Sequence, residues 1–88
     1  MPVPEHFSSQ LSLQQQMIYV LSLQEKGTPE EIAMELMELR GIASEDRVAD
    51  LTTAIENELQ KMEKEGLVTA EKEKGQPVRY RFQNINNL

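Results

Sequence analysis

Lys72, Lys74, Arg79 and Arg81 put four cations within ten residues of a chain whose formal net charge is -6. They flank a Gly75-Gln76-Pro77 turn, and side chains of this kind donate charge-assisted hydrogen bonds to phosphate oxygens. Glu71 and Glu73 lie among them, however, and can pair with them across a hairpin as an ordinary solvated surface. Both readings are open on the residues alone. Upstream, Thr52, Thr53 and Asn57 have the donors and acceptors to read base edges, or to be plain polar residues on an exposed helix. Lys61 and Lys64 add two further cations beside them.

Other chemistry finds little support. His6 is the single histidine and has no clustered carboxylates around it, so no metal site is expected. Ser8, Ser9, Ser12, Ser22 and Ser44 have no partner base in a recognisable spacing, and no glycine-rich loop follows a strand. The chain has no cysteine, which removes thiolate chemistry and disulfides and fits an intracellular protein. A binding domain without a cofactor is expected rather than an enzyme. No apolar run approaches the ~20 residues of a membrane span, and the first ten residues lack the pattern of a signal peptide, so the expected location is the cytoplasm.

The elements that must position these side chains follow from spacing and breakers. Eighty-eight residues make one domain with one small core. Residues 1–10, with Pro2 and Pro4, read as an extended or disordered start, residues 11–82 as the domain, and residues 83–88 as a polar tail. Leu13, Met17, Val20 and Leu21 mark the buried face of a first helix, which Gly27 is expected to end as a left-handed cap. Thr28-Pro29-Glu30-Glu31 restarts the chain as a capping box, and Ile32, Leu36 and Leu39 predict the buried stripe of a second helix that stops at Gly41. After a short turn, with Ser44 as cap, Val48, Leu51, Ile55, Leu59 and Met62 hold one apolar face of a third helix until Gly66. Asp50 could split that helix by capping a new one, but continuity is favoured. Leu67 to Glu73 and Val78 to Phe82 then alternate as two strands around a turn, with Arg79 and Arg81 opposite the apolar Val78, Tyr80 and Phe82. Pro77 lacks a donor, so the hairpin is expected to project from the body.

Three helices with a tight turn between the second and third, then a hairpin, describe an α+β winged helix-turn-helix domain. The stretch ELQKMEKEGLV followed by KGQPVRY resembles the end of the recognition helix and the wing of bacterial winged-helix transcription regulators, most closely the PadR-like group, over roughly residues 13–82. That resemblance implies a DNA-binding regulator whose third helix enters the major groove and whose wing touches the backbone, with Lys72, Lys74, Arg79 and Arg81 at the phosphate-contacting positions. Glu56 departs from it, standing where many members carry an aromatic residue.

The expected function is that of a small DNA-binding regulator, and charge distribution supplies an alternative. Residues 67–82 hold four basic and two acidic residues, whereas residues 44–66 hold seven acidic and three basic ones. With Ile55 central to the buried face, Asp46, Asp50, Thr53, Asn57, Gln60 and Lys64 face outward, so the start of the third helix is acidic where phosphates would lie. The alternative is a winged helix that binds a protein partner through that helix.

The first helix carries one more signal. LSLQQQMIYVLSLQ has no charge, and Leu11 and Ile18, with Tyr19 nearby, lie one heptad apart on a side other than the core stripe. This predicts that the helix is covered, either by a second subunit in a homodimer through Leu11, Ile18 and Tyr19, or by the chain's own ends, with Ile85 and Leu88 available in the tail.

Overall fold

The computed structural model describes Pro4 and residues 6–41 and 46–83. Three helices, α1 (Leu13–Leu23), α2 (Pro29–Arg40) and α3 (Asp46–Lys64), precede an antiparallel hairpin of β1 (Val68–Glu71) and β2 (Arg79–Phe82). This is the α+β layout of a winged helix, as the sequence predicts. Ser44, expected to cap α3, lies outside the described residues, while α3 itself runs unbroken for 19 residues through Asp50.

Local chemistry sets the boundaries. Ser12 caps α1 by accepting from the Gln15 amide at 3.2 Å. Thr28 Oγ1 accepts from the Glu31 amide at 3.1 Å and Glu31 Oε1 accepts from the Thr28 amide at 2.9 Å, so both halves of the capping box form ahead of Pro29. Gly41 closes α2 in the left-handed region at φ 72°, and Gly66 turns the chain out of α3 at φ 79°. Gly27 does not act as the expected left-handed cap. The chain leaves α1 through an extended Gln24, and Gly27 exchanges backbone hydrogen bonds with Tyr80 at 3.1 and 2.8 Å. That bridge occupies the free edge of β2, so the hairpin is tied to the body and does not project as Pro77 suggests; its turn, residues 72–77, is exposed.

The core gathers Met17, Ile18, Val20 and Leu21 of α1, Ile32, Ala33 and Leu36 of α2, Ile55, Leu59 and Met62 of α3, and Leu67 and Val68 leading into the hairpin. Two assignments change. Leu39 is at the exposed edge of α2, because the buried face also includes Ala33 and Met37 and is rotated toward them. Ile18 is fully buried, because α1 packs against α2, α3 and β2 at once. Phe7, from the segment before α1, packs on the same core and lies 5.9 Å from the Tyr19 ring. Hence α1 is uncharged because its own chain surrounds it. The cover comes in part from the N-terminal segment; Ile85 and Leu88, the residues expected to supply it, lie outside the described residues.

The capping box has a pH consequence. The hydrogen bond from the Thr28 amide holds the Glu31 carboxyl below its ordinary 4.5, opposed by desolvation and aided to a smaller extent by the Thr28 hydroxyl and Arg79. A depressed carboxyl contributes stability that is present above its unfolded value and is lost as pH falls through the folded one. Glu31→Gln keeps the acceptor but removes the titration, so it is expected to flatten the decline in thermal midpoint below about pH 5. Parallel acid profiles for the two proteins would show that Glu31 does not contribute to it.

Candidate interaction surface

The side chains singled out in the hairpin separate into two groups. On β2, Arg79 reaches Glu31 of α2 at 3.7 Å, and Arg81 contacts Glu25, in the loop after α1, as well as Glu71 of β1 at 3.7 Å. Lys26 lies 3.5 Å from Glu71 and completes the network. Antiparallel register places Glu71 opposite Arg79 and Thr69 opposite Arg81, so the Glu71–Arg81 contact is diagonal across the pair. Lys72 and Lys74 form the second group, exposed at the turn with no ion pair among the described residues. Of the two carboxylates expected to answer the cations, Glu71 does so, while Glu73 makes no ion pair among the described residues. Glu25 and Glu31 take its place, and no pattern within the hairpin indicates them.

On α3, Thr53, Asn57, Lys61 and Lys64 are exposed, and Thr53 Oγ1 donates to the Ala49 carbonyl at 3.0 Å. Asp50, Glu56 and Gln60 are exposed on the same helix. Thr52 departs from the expected base-reading role, because its Oγ1 is buried against the start of α2, has no hydrogen-bond partner and does not face outward. Its place on the helix, one residue before Thr53, turns it toward the flank that meets α2 and the hairpin.

That flank contains a cleft of about 350 Å³ between Pro29 and Glu30 of α2, Thr52, Glu56 and Gln60 of α3, and Val78 and Tyr80 of the hairpin. A second cleft of about 470 Å³ shares Glu30, Thr52 and Glu56 and extends to Met34 and Val48. The two therefore adjoin, and together they extend from the hairpin along the α2–α3 seam. Met34 is 62% exposed at its far end. Burial raises the Tyr80 hydroxyl above its ordinary 10.0, and the carboxylates of Glu63 and Glu56 add to the shift.

For α1, Ile18 does not belong to the surface patch expected to pair two copies. Ile18 is 0% exposed within one chain, and Leu11 and Tyr19 are half-buried, Tyr19 against Phe7. Local spacing places Ile18 a heptad from Leu11 but does not reveal that neighbours pack on both sides of α1. The sequence also hides Gln16, which sits in an uncharged Gln-Gln-Gln run yet is buried and hydrogen-bonded on three sides. No helix among the described residues is long and apolar enough to cross a membrane. Comparison of the chain with protein-family models, with characterised proteins and with solved structures finds no match.

Proposed function

We propose that this domain is a winged-helix interaction module that recognises a protein surface rather than a DNA backbone. The observation that carries this reading is that both wing arginines are engaged by carboxylates of their own chain, Arg79 by Glu31 and Arg81 by Glu25 and Glu71. An arginine beside a carboxylate still attracts an anion, but the carboxylate repels it, and a phosphate must displace the pair to form its contact. Two helix-borne carboxylates, Glu30 and Glu56, line the adjoining groove. The groove beside the wing, though not the wing turn, therefore attracts cations.

Duplex DNA is the second reading, and specific residues favour it. Lys72 and Lys74 at the wing turn, and Lys64 with Asn57 on the outward face of α3, are exposed, and none of the three lysines is ion-paired among the described residues. A PadR-like regulator would use these positions, together with Arg79 and Arg81.

The two readings separate in a titration of random-sequence duplex at two salt concentrations, with wild type and Arg79→Ala/Arg81→Ala. Protein recognition expects the same weak apparent affinity and the same salt dependence for both. A salt slope reduced by about one per arginine would establish the DNA reading instead. The substitution itself leaves the fold in place, because exposed ion pairs contribute only about 0–1 kcal/mol each.

A further inference from the structure

We infer that the groove along the α2–α3 seam binds an extended segment of a partner protein in which one Lys or Arg is flanked by apolar side chains. The inference rests on the protein-binding reading above and names the partner's chemistry. Glu30 from α2 and Glu56 from α3 both border the two connected clefts, and neither carboxylate has an ion-pair partner among the described residues. A cation bound where the clefts adjoin would find carboxylates from two different elements lining its site. On either side of this point the lining turns apolar, with Pro29, Val78 and Tyr80 toward the hairpin and Met34 and Val48 along the seam. An occupant with one central cation and an apolar residue on each side matches that order, and the aliphatic stem of Lys or Arg can pack on the apolar lining. A phosphate backbone suits none of this, because it would bring its charge against Glu30 and Glu56 and leave the apolar ends unfilled.

The test is selection from a random-peptide display library against the intact chain, followed by binding of the selected peptide to wild type, Glu30→Gln, Glu56→Gln and the double variant. Both glutamates are exposed, so the variants are expected to fold, and their amide spectra check this directly. Expected results are enrichment of a Lys or Arg with apolar neighbours, amide shifts at Thr52, Glu56 and Tyr80, and about tenfold or greater weakening for each single variant. Peptides without a central cation, or binding unchanged in the double variant, would overturn the groove assignment. In the second case, shifts confined to Asp50, Thr53 and Asn57 would keep the protein-binding reading while moving its site. If the library yields no binder and random-sequence duplex shifts Asn57, Lys64 and Lys72 in a salt-dependent way, both the groove and the reading beneath it fall.

Discussion

Ile18→Glu is expected to leave no cooperative thermal transition and no dispersed amide spectrum. A small domain of 88 residues is stable by about 4–13 kcal/mol in all. Ile18 is fully buried among α1, α2 and α3, so the substitution loses about 1.5–3 kcal/mol of apolar burial and adds several more for a carboxylate in an apolar interior. The two together consume most or all of the stability. Ile18→Ala, which creates a cavity without a charge, should remain folded with a loss of about 2–5 kcal/mol. Leu23→Glu serves as the control, because Leu23 is 67% exposed at the end of the same helix and its replacement should move the midpoint little. An Ile18→Glu protein that stays folded and halves its mass in sedimentation would return Ile18 to a subunit interface and contradict the packing described here.

The difference between these two views of Ile18 shows what local pattern carries. Thr28, Pro29 and Glu31 make a capping box from bonds between near neighbours in sequence, so their spacing suffices to place the start of α2. Gly41 and Gly66 likewise end helices through their own backbone freedom. The alternation of Val78, Tyr80 and Phe82 with two arginines places β2 for the same reason. The candidate site is different in kind. Arg81 finds Glu25 56 residues away, and Glu30 and Glu56 come to one groove from separate helices. A helical wheel reports which face is apolar but not how many neighbours cover the helix, and for α1 the answer is neighbours on nearly every side. An absence of charge therefore signals coverage without saying by what, and here Phe7 and three elements of the same chain supply it.

Gln16 is the other buried residue whose loss should be felt strongly, and its effect reaches three parts of the fold. Its Nε2 donates to the Ser8 carbonyl at 3.3 Å and the Leu11 carbonyl at 3.1 Å, while its Oε1 accepts from Arg40 Nε at 3.0 Å and from a second Arg40 nitrogen. One side chain thus ties the segment before α1 to the last turn of α2. Gln16→Leu keeps the volume but removes every bond, leaving two backbone carbonyls and a half-buried guanidinium without that partner. Bonds to a charged group contribute about 1.5–3 kcal/mol, so a loss of about 2–3 kcal/mol is expected, equivalent to ~10 °C or more in the midpoint of a domain this size. Arg40→Met should cost less, because Oε1 is then the main atom left unpaired. The double variant should fall short of the sum of the two, with a coupling of about 1 kcal/mol or more, since each single change already breaks the shared contact. Strict additivity would mean that Gln16 and Arg40 stabilise the fold separately. The bonds from Gln16 to the Ser8 and Leu11 carbonyls do not involve Arg40, so Gln16→Leu should loosen the N-terminal segment in either case and shift the rings of Phe7 and Tyr19, which lie 5.9 Å apart.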